Sequence, residues 1–333
     1  MKIYDNYSLL KHNTFGMDVN AKQFVEYESE EELREILQSL HNKRYFHVGG
    51  GSNLLFMNDY DGTIIHSAIK GIEVVSEDEQ YVEVRVGAGV IWDKFVFYAI
   101  NKGWYGIENL SYIPGEVGAS AVQNIGAYGI EAKDFISVVE GIEFETGNKR
   151  YFNKIECEYG YRSSIFKSQF KGKYAITYVT YKLCKVFIPH LEYGNIRTVI
   201  ENINPTPNEV REAVIKIRQS KLPEPTVWGN AGSFYMNPVV SLKHFEQLRQ
   251  TFPDIPYYIV SNGVKIPAGW LIEKSGWKGR KVGNAGVHSQ QSLVLINLGN
   301  ANGEDIMTLS KMICSSVKDM FDIELHPEVN VIC

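Results

Sequence analysis

A run of three glycines flanked by two strand-like segments constrains this chain more than any other feature of its sequence. Tyr45-Phe46-His47-Val48 reads as a short strand, Gly49-Gly50-Gly51-Ser52-Asn53 follows, and Leu54-Leu55-Phe56 resumes an apolar run that the turn Asp59-Tyr60-Asp61-Gly62 closes. No room remains for a helix after the glycines. A Rossmann fingerprint would need G-x-G-x-x-G opening a helix, and a P-loop would need Gly-Lys-Ser/Thr; the chain offers neither here. Consecutive glycines let backbone N–H groups turn toward one point and approach an anion closely, as a pyrophosphate requires. A tight glycine turn accounts for the same residues equally well.

The remaining pattern is mixed. Ser29 and Glu32 form a capping box, and Leu33, Ile36, Leu37 and Leu40 share one helical face. Ile72 to Val86 reads as a hairpin with period-two alternation from Tyr81 to Val86. Trp92, Phe95, Val96 and Ala99 mark a helix that stops near Gly103. Between Gly106 and Gly129 stand five glycines and one proline, too irregular for one helix or strand, so this stretch must wrap around something. Further strands are predicted at Val138–Phe144 and Tyr174–Leu183. Thr206-Pro207-Asn208-Glu209 is a second capping box, whose helix buries Val210, Val214 and Ile217 and exits through Lys221-Leu222-Pro223-Glu224-Pro225. A last helix near Asp305–Phe321 precedes a final strand, Glu328–Ile332. Separate helices and hairpins make this an α+β chain, not a regular βαβ series.

Composition narrows the chemistry. A chain of 333 residues accommodates two or three domains at roughly 100–200 residues each. With 44% hydrophobic and 22% charged residues, a net charge of −5 and no dense basic block, it matches a globular protein without a nucleic-acid surface. Four scattered cysteines (Cys157, Cys184, Cys314, Cys333) and eight histidines without ligand spacing point to a reduced protein with no metal site. The N-terminus has no signal-peptide core, and no run of about 18 apolar residues exists, so a cytoplasmic protein without a membrane span is expected.

Four further segments carry polar groups suited to a site. Ile113 to Gly129 combines small residues, amides and hydroxyls in the way a buried, extended polar cofactor requires; the alternative, a structural omega-like loop, is disfavoured by its length and its five nearby glycines. Arg162, in Tyr161-Arg162-Ser163-Ser164-Ile165-Phe166-Lys167, has the bidentate fork for a carboxylate or phosphate, yet taken alone such an arginine is more often a surface or salt-bridge residue. Ser233 lies in Gly229-Asn230-Ala231-Gly232-Ser233-Phe234-Tyr235-Met236-Asn237-Pro238 without the G-x-S-x-G context of a nucleophile, so it reads as a hydrogen-bond or proton donor, or as part of a polar turn. Glu328 leads the final strand, as an edge charge also would. His288-Ser289-Gln290-Gln291 reads as a hydrogen-bonded loop.

Taken in order, the blocks VGGGSNLLF, GIENLSYIPGEVGASAVQNIGAYG, YGYRSSIFK, KLPEPTVWGNAGSFYMNP, AGWLIEKSGWKG and HPEVNVI resemble the UDP-N-acetylenolpyruvoylglucosamine reductase (MurB, UDP-N-acetylmuramate dehydrogenase) family, in the type with a tyrosine loop. They span residues 48 to 332. The resemblance implies an α+β, two-subdomain FAD-binding domain of the vanillyl-alcohol-oxidase/p-cresol-methylhydroxylase type, followed by a C-terminal α+β substrate domain. It places FAD-binding subdomains at 1–70 and 71–205, the UDP-sugar domain at 206–321, and a final strand, 322–333, returning to the FAD-binding domain.

The implied activity is NADPH-dependent, FAD-mediated reduction of enolpyruvyl-UDP-N-acetylglucosamine to UDP-N-acetylmuramate in peptidoglycan synthesis. Non-covalent FAD would be held by Gly49, Gly50, Gly51, Ser52 and Asn53 together with Ile113, Pro114, Gly115, Gly118, Ala119, Ser120, Gln123, Asn124, Gly126, Ala127 and Tyr128. Hydride would pass from flavin N5 to C3 of the enolpyruvyl group. Arg162 and Glu328 would polarise the substrate carboxylate, and Ser233 would supply the proton to C2. Tyr161, Tyr193, Arg218, Lys221, Asn237 and Gln291 are the expected substrate contacts. A monomer acting on a small UDP-sugar is expected. Tyr235 stands where phenylalanine is more usual and Trp228 fills a variable spot. Glu116 puts a negative charge inside the cofactor loop, where it should repel a pyrophosphate unless it points outward.

Two rivals differ in class. A related FAD-linked sugar or alcohol oxidase would often carry a histidine in the glycine loop for covalent flavin, and here His47 lies upstream of it. A non-catalytic nucleotide-sugar binding protein would account for the glycines but not for an arginine, serine and glutamate in the family's register.

Overall fold

A computed structural model describes all 333 residues. The chain divides into two compact units: residues 1–7, 21–50 and 61–218 form the first, and residues 8–20, 51–60 and 219–333 the second. Each is discontinuous in sequence, a coarser and more interleaved division than four consecutive segments, and the passage from one unit to the other at Gly50/Gly51 falls inside the glycine run.

The first unit holds two larger sheets and a two-stranded ribbon of Gly126–Ala127 with Ile130–Glu131. One orders its strands Lys2–Ser8, Asn20–Tyr27, Tyr60–Ser67, Tyr45–Val48. Its last two strands run parallel, with His47 opposite Ile65 and Val48 opposite His66. Asp59–Gly62, expected as a closing turn, instead opens the strand Tyr60–Ser67. That strand lies between two others and Tyr60 is buried, so pairing on both sides overrides the turn propensity of an Asp-Gly sequence. Helix Glu30–Ser39 begins with Ser29 Oγ accepting from Glu32 N at 3.2 Å. The reciprocal half of the expected box is displaced by one residue: the Glu32 carboxylate accepts from Glu28 N at 2.7 Å. Leu33, Ile36 and Leu40 pack with Tyr27, Ile65, Ile142 and Ala175 in one core.

The second sheet of this unit is fully antiparallel, in the order Lys149–Asn153, Ile136–Glu143, Tyr174–Cys184, Tyr81–Gly87, Ile72–Glu77. Period-two alternation buries Val82, Val84 and Val86 under helix Trp92–Asn101, whose Trp92, Phe95, Val96 and Ala99 fill the same core. Across the sheet, Glu140 accepts two bonds from Arg85, at 2.5 and 2.8 Å, and lies 2.8 Å from Lys149 Nζ. Strands Lys2–Ser8 and Asn20–Tyr27 of the first sheet were not foreseen, nor were two elements here. Strand Lys149–Asn153 buries only Phe152, and helix Val117–Gln123 is set inside the glycine-dense stretch.

The second unit is built around helix Gly303–Phe321, which a box between Asn302 and Asp305 caps. Small antiparallel sheets (Val239–Val240, Gly263–Lys265 and Tyr258–Val260; Lys281–Val282, Ala285–Val287 and Leu295–Asn297) and helices Leu242–Thr251 and Ala268–Lys274 complete it. The final strand, Asn330–Ile332, pairs in parallel with Leu54–Phe56. Helix Pro207–Lys221 spans the boundary between the units, and its Thr206–Glu209 box closes in both directions, at 2.6 Å from Thr206 N and 3.3 Å from Glu209 N. No helix is long and apolar enough to cross a membrane.

Candidate functional site

In the first unit the two glycine segments meet backbone to backbone. A Cβ placed on Gly50 would lie 3.2 Å from Gly115 Cα, and one on Gly49 would lie 3.4 Å from Glu116 Oε2 and 3.5 Å from Ala119 Cβ. No protein acceptor takes the amides of Gly50, Gly115 or Glu116. Such uncommitted amides, two of them on glycines with no side chain to shield them, are the donor set that a phosphate oxygen needs. Gly118 answers to packing instead, since its Cβ would stand 2.8 Å from Ala88 Cβ.

Backbone strain is concentrated in the same stretch. Tyr112, Asn124 and Tyr128 all have positive φ, at 59°, 46° and 50°, as do Gly115 and Gly129. The polar side chains here are largely spent within the protein. Ser120 Oγ bonds to Val117 O at 2.7 Å and to the Tyr181 hydroxyl at 2.6 Å. Asn124 donates to Gly160 O and Glu131 Oε2 and accepts from Lys133 N. What Ser120 and Asn124 contribute is therefore the shape of the segment rather than free polar groups. Ile113, Pro114, Gln123 and Ala127 remain partly or largely accessible around it.

Arg162 also has positive φ, 52°, and its Nη2 donates to Gly126 O at 2.6 Å, which ties it to the glycine-dense segment. The Tyr161 ring lies 5.5 Å from its guanidinium carbon. Arg218, at the end of this unit, donates from Nε to Tyr112 O at 3.0 Å. Burial first, and then the like charge of Arg162, pull the Arg218 guanidinium below its usual range, against the opposing influence of Tyr128 and Asp93. Asp93 itself is engaged by Arg211 at 2.6 and 2.7 Å. Two guanidinium groups within electrostatic reach of one another make a region suited to an anion. Tyr193 stands beside it, exposed, its Cβ 3.3 Å from where a Cβ on Gly129 would be.

The second unit brings Ser233 and Glu328 together. Ser233 bridges to Val294, Tyr235 bridges to Pro327, and Glu328 N donates to Phe234 O at 2.8 Å, so the two residues lie on adjoining extended segments. The other half of the glycine run is tied to the same place: Asn53 Nδ2 donates to Glu328 O at 3.3 Å and Asn53 O accepts from Asn330 N at 3.1 Å. Ser52 is half-buried beside it. Gly51 has a structural reason of its own, for a Cβ there would fall 1.9 Å from His12 O. Ser233 is exposed and Glu328 half-buried. The Tyr235 hydroxyl, the departure noted above, bonds to Ser310 Oγ at 2.9 Å within the core. Asn237 Oδ1 accepts from Ala268 N at 2.9 Å, Gln291 Oε1 from Leu293 N at 3.3 Å, and Lys221 is exposed.

One arrangement was not anticipated. Glu116 does not face solvent. It is buried against His66, whose Nε2 lies 3.1 and 3.3 Å from its two oxygens, and His66 Nδ1 reaches Glu26 Oε2 at 3.2 Å. The acid in the loop was the available signal; its partner, fifty residues earlier in the chain, follows no motif. No cluster of three or more metal-ligating side chains is present.

Two family models match this chain. One, described as an FAD binding domain, covers residues 21–149, and the other, described as the C-terminal domain of UDP-N-acetylenolpyruvoylglucosamine reductase, covers residues 224–332. The UDP-N-acetylenolpyruvoylglucosamine reductase of Bacteroides fragilis (strain YCH46) is 52% identical over 329 residues, covering 98% of this chain and 99% of that protein. The protein of the same description from Flavobacterium johnsoniae is 46% identical over 337 residues, covering 100% of both chains. The crystal structure of UDP-N-acetylenolpyruvylglucosamine reductase from Thermus caldophilus matches with a TM-score of 0.70 at 23% identity, over 100% of this chain and 98% of that one, a likeness of fold.

Proposed function

Because the chain belongs to the UDP-N-acetylenolpyruvoylglucosamine reductase family of FAD-dependent oxidoreductases, we propose that it reduces enolpyruvyl-UDP-N-acetylglucosamine to UDP-N-acetylmuramate at the expense of NADPH. The observation that carries this reading is near-complete coverage at 52% identity, joined to two glycine segments that leave backbone amides uncommitted where a diphosphate could be held. The amides of Gly50, Gly115 and Glu116 fit the diphosphate of FAD, because a side chain at Gly50 would intrude on the space they share. Bound without a covalent link, FAD would supply the hydride that NADPH provides to C3 of the enolpyruvyl group.

Every other role falls to the chain itself. Arg162, anchored to Gly126 O and beside Arg218, presents a cation for the substrate carboxylate, whose charge grows as C3 is reduced. Glu328 would hold that carboxylate in a polarised state. The exposed hydroxyl of Ser233, on the segment next to Glu328, would deliver the proton to C2. Tyr161, Tyr193, Arg218, Lys221, Asn237 and Gln291 would bind the UDP-sugar, with Tyr193 covering one end of it. The same reading assigns the enzyme to peptidoglycan synthesis in the cytoplasm, where UDP-sugars and NADPH are made. Purified enzyme should be yellow, should bleach with NADPH under anaerobic conditions, and should recover its colour on adding the enolpyruvyl UDP-sugar. Bleached enzyme that this substrate leaves colourless would defeat the proposal.

A further inference from the structure

Glu116 places a carboxylate where a cofactor diphosphate is expected. Its Oε2 would lie 3.4 Å from a Cβ on Gly49, and its Cγ would lie 3.6 Å from a Cβ on Gly50. An uncompensated anion there would repel the diphosphate through a poorly screened, buried path. His66 supplies the compensation. Both ring nitrogens face carboxylates, Nε2 toward Glu116 and Nδ1 toward Glu26, and only the doubly protonated ring can donate to both.

The other groups around the ring do not compete for that role. Glu26, on the neighbouring strand Asn20–Tyr27, accepts from Lys2 Nζ at 3.1 Å, so its own charge is shared. The Phe24 ring stacks on the imidazole, centroids 6.1 Å apart. His47, on the strand Tyr45–Val48, stays neutral, because burial pulls its pKa down to about 3, and it shares a 2.8 Å bond with the Tyr27 hydroxyl. Glu116 also anchors backbone: its carbonyl accepts from Ser120 N at 3.1 Å, and it bridges to Ile91. The imidazole–carboxylate pair therefore pins the segment that follows Gly115 to the strand Tyr60–Ser67.

We propose that His66 is a cofactor-positioning residue, whose imidazolium neutralises and anchors Glu116 so that the amides beside Gly50 and Gly115 can take the diphosphate of FAD. This rests on the reading that those two glycine segments hold that diphosphate. Burial favours the neutral ring, but the hydrogen bonds to Glu116 and Glu26 outweigh it and hold the His66 pKa above its usual value. The affinity for FAD is therefore full when the ring is charged and falls as pH rises through that elevated pKa. By linkage, bound FAD raises the pKa further.

The test is reconstitution of apoprotein with FAD, following flavin fluorescence to obtain Kd. His66→Gln should weaken FAD by about tenfold or more at neutral pH. Glu116→Gln should bind FAD at least as tightly as wild type. The double variant should return to within about threefold of wild type, because the charge that needed compensation is gone. As pH rises above the ordinary histidine range the wild-type Kd should rise while that of Glu116→Gln stays flat. Unchanged binding by His66→Gln, a double variant no better than His66→Gln, or an equal pH slope in Glu116→Gln would each overturn the proposal. Gly50→Val separates this from the underlying reading, with the apoprotein melting curve confirming that it folds. If folded Gly50→Val retains FAD, the glycine-segment reading fails and the proposal with it. If it loses FAD while His66→Gln does not, only the charge compensation is refuted.

Discussion

Adjacent glycines in the run Gly49-Gly50-Gly51 should respond to alanine in opposite ways. At Gly51 the backbone has φ of +67°, and an added Cβ would lie 1.9 Å from His12 O, 2.4 Å from His12 C and 2.9 Å from Asn13 N. A left-handed conformation costs an L-residue about 1–2 kcal/mol. Displacing packed backbone costs about 1–3 kcal/mol more. Gly51→Ala should thus lose about 2–5 kcal/mol of stability. That loss also strains the Gly51 O contact with Thr14 N, 3.1 Å long. At Gly50 the new Cβ would meet Gly115 Cα at 3.2 Å, which asks the neighbour to yield by a few tenths of an ångström. Gly50→Ala should stay within about 1 kcal/mol of wild type in stability while weakening FAD, because the methyl enters the space of the free amides. Urea unfolding of the apoproteins measures the first quantity and FAD titration the second. Equal stability losses at the two positions, or Gly51→Ala as stable as wild type, would refute this division between a structural and a cofactor-facing glycine.

Other consequences are as direct. Ser233→Ala should keep FAD content and the rate of flavin reduction by NADPH while slowing reoxidation by the enolpyruvyl substrate about 10²–10⁴-fold, the usual contribution of a positioned acid, read by stopped-flow absorbance. Normal reoxidation would remove Ser233 as the proton source. Tyr235→Phe should cost about 1–2 kcal/mol in thermal or chemical unfolding, since it leaves the buried Ser310 hydroxyl without its 2.9 Å partner. Glu108 is buried, and desolvation pushes its carboxyl up to about 7 despite bonds from Gly106 N at 2.9 and 3.1 Å. A raised acid pKa means the folded state binds the extra proton, so stability falls as pH rises from the ordinary glutamate range toward about 7. Glu108→Gln should therefore be the more stable protein above neutrality, by up to about 3 kcal/mol, and should lose that advantage near about pH 4; a pH-independent difference would contradict this.

Much of the architecture was legible because local pattern and burial agree. The alternation Tyr81 to Val86 and the faces of the helices at Glu30–Ser39 and Trp92–Asn101 are the faces the cores use. The family resemblance read from the glycine and GNAGSF blocks is borne out by whole-length relatives. What escaped the sequence depended on distant partners. Lys149–Asn153 has polar residues on both faces and is a strand because Ile136–Glu143 pairs with it. Val117–Gln123 is helical without an apolar stripe, since its small residues let it pack closely against Ala88. The glycine run looked uniform, yet Gly51 is dictated by the His12 backbone while Gly50 faces Gly115. His66 carried no signal at all, because its partners Glu26 and Glu116 stand forty residues before it and fifty after.

The most direct measurement is an anaerobic flavin spectrum recorded through one full cycle. The account predicts that the long-wavelength flavin band disappears with NADPH, returns in stoichiometric amount with enolpyruvyl-UDP-N-acetylglucosamine, and leaves UDP-N-acetylmuramate as the product. A protein that purifies without flavin and cannot be reconstituted with FAD, or a reduced flavin that oxygen reoxidises but this substrate does not, would contradict it.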